Sequence, residues 1–158
     1  MVRWHPSNFQ LTPTRDERLI SRHAKHPMNP DFVKTNLLIA WLWIVLGFGA
    51  GFLLGLFFHK EDWLGGYSSF KRRLYRLAHV SFFGLALVNF LFYATARTFT
   101  QASTATQVAS WGFIVGAVGM PICCLIIAHL PRLRVLFLIP VLSLLTAGSL
   151  TVWEVSRL

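Results

Sequence analysis

Charged residues are scarce in this sequence and are absent from four long stretches. Asp, Glu, Lys and Arg make up 13% of the 158 residues, whereas a typical soluble domain contains about 25%. Residues 35–58, 77–96, 98–131 and 135–153 contain none. A helix needs about 20 apolar residues to cross the hydrocarbon core of a membrane. The sequence therefore predicts an all-α, integral membrane four-helix bundle, with spans at about 35–58, 77–96, 108–130 and 135–153.

Acidic residues are absent from the predicted spans. The chain has six: Asp16, Glu17, Asp31, Glu61, Asp62 and Glu154. Proton- and cation-coupled transporters usually place carboxylates within the membrane, which argues against a pump or a secondary transporter. The sequence also has no phosphate-binding loop and no local nucleophile–base pattern. We predict no catalytic residue, and we do not expect the chain to be an enzyme on its own, although it could be a subunit of an oxidoreductase complex.

Cysteine is rare as well. The two cysteines, Cys123 and Cys124, are neighbours in the third apolar stretch. Adjacent residues on a helix point about 100° apart, so a disulfide between them is not expected. Histidines are present in the tail, but no Cys, Asp or Glu accompanies them at ligand spacing. We predict no metal site.

The chain divides into a polar N-terminal tail, residues 1–34, and a domain of four spans, residues 35–158. The capping-box spacing of Thr14 and Glu17 predicts a short surface helix in the tail. Asn29 before Pro30 predicts the start of the helix that leads into the first span. Four spans place both termini on the same side of the membrane. Basic residues close to the span ends favour a cytoplasmic location for the 1–2 and 3–4 connections.

The positive charge of the chain lies beside the apolar stretches. The formal charge is +9, and many of the basic residues directly flank a predicted span. Anionic phospholipid headgroups at the membrane surface attract such segments. We therefore predict anionic phospholipids as partners, and no nucleic acid.

Two rows of small residues follow helical spacing. Gly47, Gly51 and Gly55 form a tandem row on the first span, and Gly112 and Gly116 form a shorter row on the third. Glycine lets helix backbones approach closely, which matters in lipid because little hydrophobic force drives helices together there. The rows predict helix packing, either within the chain or against other membrane protein subunits.

Two histidines near the span ends form a candidate cofactor site. Arg72, Arg76 and His79 share one face of the second span, and His129 lies three residues before Arg132. Two imidazoles on different helices can ligate a b-type haem, and arginines can bind its propionates. The same residues could instead anchor the helices or bind lipid phosphate without a cofactor.

These patterns lead to two functional hypotheses. The first is a small noncatalytic subunit of a multi-subunit membrane complex, with an electron-transfer role if His79 and His129 hold one haem. The alternative is a cofactor-free, lipid-interacting multi-pass membrane protein. A membrane enzyme that uses His79 as a base is a third possibility, for which the sequence offers no partner carboxylate.

Overall fold

The computed structural model describes residues 30–99 and 103–158 and contains four long helices. They are α1 (Pro30–Phe57), α2 (Phe70–Ala96), α3 (Thr104–His129) and α4 (Leu138–Val155). A 3₁₀ segment, Pro131–Phe137, precedes α4 and extends the fourth apolar span. All four spans are long and apolar enough to cross a membrane. The predicted all-α membrane four-helix bundle is therefore confirmed.

The helix ends follow local sequence signals. Ser69 accepts a hydrogen bond from the backbone N–H of Arg72 at the start of α2, and Ser103 accepts one from that of Thr106 at the start of α3. Each satisfies one of the backbone donors that a helix leaves unpaired at its first turn. The described part of α1 begins at Pro30; its predicted cap Asn29 and the predicted tail helix lie outside the described residues.

Each helix packs mainly against the next helix along the chain, and α1 also reaches α3. Helix α3 is the most enclosed, with 44% of its most apolar window buried, against 17% for α1 and 11% for α4. The ring of Phe92 on α2 packs on that of Phe113 on α3, with 5.2 Å between the ring centroids. The outward faces of α1 and α4 carry exposed apolar side chains such as Phe48 and Leu145, which suits contact with lipid.

A buried polar group joins the first three helices. The amide Nδ2 of Asn36 donates to Oδ1 of Asn89 at 2.9 Å, and the hydroxyl of Ser110 donates to Oδ1 of Asn36. Asn89 also donates to the backbone carbonyl of Leu85. Asn89 therefore forms an interhelical hydrogen bond, and the patterns in the sequence did not identify Asn36 as its partner.

The glycine rows lie largely between helices of this chain. An added Cβ would lie 2.8 Å from the Phe83 ring at Gly47, and 2.8 Å from Cε1 of His79 at Gly51. Gly112 lies against α4, as does Gly116. Gly55 differs, since a Cβ there would have no neighbour within 4 Å in the part of the chain that the structure describes.

Candidate functional site

The connection between α1 and α2 folds around the side chain of Arg72. This residue lies in the first turn of α2 and is 3% exposed. Its Nη2 donates to the backbone carbonyl of Phe58 at 3.2 Å, and its Nη1 donates to that of Glu61 at 3.4 Å. Gly65 and Gly66 adopt positive φ angles of 86° and 92°, a region that glycine enters without steric cost, and thereby let the connection turn back towards α2.

Aromatic rings complete the surroundings of this arginine. The guanidinium carbon of Arg72 lies 5.1 Å from the ring centroid of Phe58, 5.9 Å from that of Trp63 and 5.2 Å from that of Tyr67. The guanidinium of Arg76 lies 4.9 Å from the same Tyr67 ring. Each such cation–π contact is worth about 0.5–2 kcal/mol, depending on how far it is desolvated. Trp63 and Tyr67 of the α1–α2 connection thus contact the arginines directly.

The charge of Arg72 is nevertheless incompletely matched. Its hydrogen bonds reach neutral carbonyl groups, and its Nε is buried without a hydrogen-bond partner among the described residues. Within the described part of the chain, no carboxylate lies within salt-bridge distance of it. Removing a charged group from water costs several kcal/mol unless a counter-charge and hydrogen bonds offset that cost. The site is therefore chemically suited to an anion.

Arg72 lines a cleft of about 280 Å³ between α1 and α2, here called the boundary cleft. Its walls combine two arginines, a histidine and small or apolar residues of α1, and include Arg72, Arg76, His79, Gly51, Gly55 and Phe58. Among the described residues, no Asp or Glu side chain lines it. Cationic groups thus lie at one end of the cleft, and apolar surface of the spans continues from it.

His79 lies between α2 and α1. The Cε1 edge of its ring lies against Gly51, whose missing side chain makes the close approach feasible. The ring also meets Phe83 edge-on, with 5.4 Å between the centroids. Its Nδ1 is buried and, like Nε of Arg72, has no hydrogen-bond partner among the described residues.

His129 has different contacts. It is exposed at the end of α3, and its Nε2 lies 2.9 Å from the hydroxyl oxygen of Tyr75 on α2. Arg132 is exposed in the 3₁₀ segment that follows. The structure thus brings Arg72, Arg76 and His79 together at one cleft, while His129 contacts Tyr75 instead.

Comparison with known protein families, curated proteins and solved structures found no match to this chain. Within residues 30–99 and 103–158, no three His, Cys, Asp or Glu side chains form a group that could hold a metal ion. The geometry of the boundary cleft and its neighbours is therefore the basis for assigning a function.

Tyr75 is a polar residue of this region that the sequence patterns did not single out. The residue precedes His79 by four positions, so the two share a helix face at the same end of α2. A tyrosine near two histidines at a membrane boundary could have indicated a hydrogen bond between Tyr75 and a histidine, because a partly buried phenol usually finds a hydrogen-bond partner. The direction of the Tyr75 hydroxyl towards α3 depends on helix packing, which periodicity alone does not give.

Proposed function

We propose that this protein is a noncatalytic multi-pass membrane protein that binds the phosphate of an anionic phospholipid in the boundary cleft. The observation that carries the proposal is the buried Nε of Arg72, which has no partner among the described residues and lies in a cleft shared with Arg76. A phosphate oxygen can accept from this N–H in a charge-assisted hydrogen bond, which is stronger than a bond between neutral groups.

The shape of the cleft favours a lipid over a free anion. Its cationic residues lie at the start of α2, where the basic turn Lys71–Arg73 meets the apolar span. Leu54 and Val80 line it alongside the glycines of α1. A phospholipid could place its phosphate beside the arginines and its glycerol and upper acyl chains along this apolar wall. Inorganic phosphate would bind beside the arginines but would make no use of the apolar wall.

The charge of the cleft also suggests which headgroups it prefers. Phosphatidylcholine and phosphatidylethanolamine carry a cationic group that needs an anionic or carbonyl neighbour. No carboxylate from the described part of the chain lines the cleft, and two arginines would repel that cation. Phosphatidylglycerol or phosphatidic acid presents its phosphate without this penalty. We therefore expect selection of anionic over zwitterionic lipid.

The test compares lipid retention by matched variants. The wild-type protein is purified in mild detergent and supplied with equal phosphatidylglycerol and phosphatidylcholine, and bound lipid is quantified by native mass spectrometry. Arg76→Gln removes a cleft arginine, and Arg73→Gln removes an exposed arginine of the same helix as the control. A hydrogen bond to a charged group contributes about 1.5–3 kcal/mol, so Arg76→Gln should weaken phosphatidylglycerol binding about 10-fold or more.

A second pair of variants tests the position of the site. Gly55→Leu places a side chain at the cleft, where a Cβ would have no neighbour within 4 Å among the described residues. Gly49→Leu makes the same change on an exposed part of α1 away from the cleft. The proposal would be overturned if the cleft variant and the control variant of each pair retained phosphatidylglycerol equally. Displacement of lipid by millimolar inorganic phosphate would instead identify a free-anion site.

A b-type haem between His79 and His129 is a second proposal. It is supported by the buried Nδ1 of His79, which has no hydrogen-bond partner among the described residues, and by Tyr75, one turn from His79, which contacts His129. Binding through both rings would require the Tyr75–His129 hydrogen bond to open. A reduced-minus-oxidised visible spectrum of wild type, His79→Ala and His129→Ala tests this idea, since a haem signal must be lost in both variants. A featureless spectrum from folded wild-type protein with its native partners would refute it.

Membership of a larger membrane complex stays a prediction. Exposed apolar residues on the outer faces of α1 and α4 suit lipid and protein neighbours equally. Purification from native membranes in mild detergent separates the two cases: stoichiometric co-purifying subunits support a complex, whereas a monodisperse single chain with bound anionic lipid supports an independent protein.

A further inference from the structure

A second cavity lies beside His79 and is distinct in chemistry from the boundary cleft. It has a volume of about 320 Å³ and borders α1, α2 and α3, and we call it the apolar cavity. Ala50 and Ala78 leave room within it, and Phe57, Trp63 and Phe82 supply aromatic walls. Trp63 and Phe57 stack nearly parallel, with 13° between their planes and 5.6 Å between centroids. Neither arginine of the boundary cleft lines it.

Two polar side chains interrupt the otherwise apolar wall. They are Tyr75 and His79, one turn apart on the same face of α2. The Tyr75 hydroxyl lies 2.9 Å from Nε2 of His129, which is exposed at the end of the bundle. If His129 carries its proton on Nε2, it donates to the phenol oxygen, and the phenol O–H can donate to another acceptor. Nδ1 of His79 has no partner among the described residues.

We propose that the apolar cavity binds a neutral, flat, lipid-soluble carbonyl compound of the quinone class. Its ring would lie against the aromatic walls, where offset or edge-on contacts are favourable. A carbonyl oxygen would accept a hydrogen bond from Tyr75, with His79 as the second polar contact. Ligand pockets typically combine an apolar lining with a few well-placed polar groups, as this one does.

The size and charge of the cavity narrow the ligand class. Pockets for small ligands span about 300–1,000 Å³, so 320 Å³ suits a single substituted ring rather than a larger ring system. The lining that residues 30–99 and 103–158 provide contains no Lys, Arg, Asp or Glu, which disfavours a charged ligand because it would be desolvated without a counter-ion. A long isoprenoid or alkyl tail could remain in the surrounding lipid.

The experiment uses a short-chain benzoquinone as the probe. Full-length protein in lipid nanodiscs is titrated with decylubiquinone, and binding is measured by equilibrium dialysis against empty nanodiscs, which corrects for partition into lipid. Wild-type protein should bind saturably, with one ligand per chain. Tyr75→Phe removes the hydroxyl alone, and loss of one hydrogen bond should raise the Kd about fivefold. Tyr93→Phe makes the same change at the other end of α2 and should leave the Kd unchanged.

A steric variant provides a second readout. Ala50→Leu adds bulk at the cavity wall and should raise the Kd at least about tenfold. Ala94→Leu is the matched control, because it adds the same bulk on an exposed face of α2. Circular dichroism and size-exclusion profiles confirm that each variant is folded. Binding that does not saturate above empty nanodiscs, or equal affinities within both variant pairs, would overturn the proposal. Since Arg76 does not line this cavity, Arg76→Gln should retain quinone binding, which separates this site from the phospholipid site.

Discussion

Single polar side chains carry much of the specificity between the helices. Asn36 and Asn89 face each other within apolar spans, and Ser110 completes the group from α3. An amide in hydrocarbon costs several kcal/mol if it lacks a partner. The three residues therefore favour one registration of α1, α2 and α3 over others in which an amide would meet lipid.

We expect Asn89→Ala to lower the free energy of unfolding by about 1–3 kcal/mol, because it deprives buried Asn36 of a hydrogen-bond partner. A double-mutant cycle with Asn36→Ala, measured by reversible unfolding in mixed micelles, should give a coupling energy of about 1 kcal/mol, within the range found for interhelical bonds in membranes. Ser149→Ala on the exposed face of α4 is the control, and its effect should add to that of Asn89→Ala. Strict additivity of the two asparagine variants would contradict a direct interaction.

At the scale of helices, the glycines differ in what they contact. Gly51 accommodates the edge of His79, and Gly112 accommodates the backbone of α4. Gly55 shares the helical spacing of Gly47 and Gly51, so the sequence could not distinguish it from them. An added Cβ at Gly55 would nevertheless have no neighbour within 4 Å among the described residues. Spacing selects a helix face, whereas the crossing point of the two helices decides which glycine on that face is enclosed.

Gly112→Ala should destabilise the α3–α4 pair. Its Cβ would lie 2.9 Å from Cβ of Ala147 and 3.1 Å from the backbone oxygen of Ser143, neither of which can rotate away. Overpacking costs about 1–3 kcal/mol, and the gain in helix propensity returns about 1 kcal/mol. Unfolding in mixed micelles should show a net loss of stability. Gly148→Ala on α4, where a Cβ has no neighbour within 4 Å, should be neutral or stabilising, and a similar loss in both variants would refute this explanation.

At the scale of the whole molecule, four spans and short connections determine the topology. Ser68 lies in the α1–α2 connection, and Ser156 follows α4; both are exposed. With four crossings, the two positions should face opposite sides of the membrane. The distribution of basic residues predicts that the side with Ser68 is cytoplasmic.

Labelling of introduced cysteines tests this topology. In sealed membrane vesicles with the cytoplasmic face inward, a membrane-impermeant maleimide should label Ser156→Cys and should reach Ser68→Cys only after the membrane is permeabilised. The native Cys123 and Cys124 are buried in α3 and should give little background. The reverse labelling pattern would indicate four spans in the opposite orientation. Labelling of both positions from the same side would contradict four crossings.

The sequence alone determined the fold class and the approximate positions of the spans. Long charge-free stretches leave few alternatives, because the backbone must satisfy its own hydrogen bonds in lipid. The N-cap of α2 also follows a local signal, since Ser69 directly precedes the first turn of the helix and caps it. These features depend on neighbouring residues in the chain, which the sequence displays directly.

Only the tertiary structure decided which side chains meet. It placed the face that carries Arg72, Arg76 and His79 against Gly51 and Gly55 of α1, paired His129 with Tyr75, and placed Asn36 beside Asn89. Helical periodicity gives the face on which a residue lies, but the partner on that face depends on the rotation and relative height of separate helices. Those quantities come from the packing of many side chains at once, so no single motif in the sequence contains them.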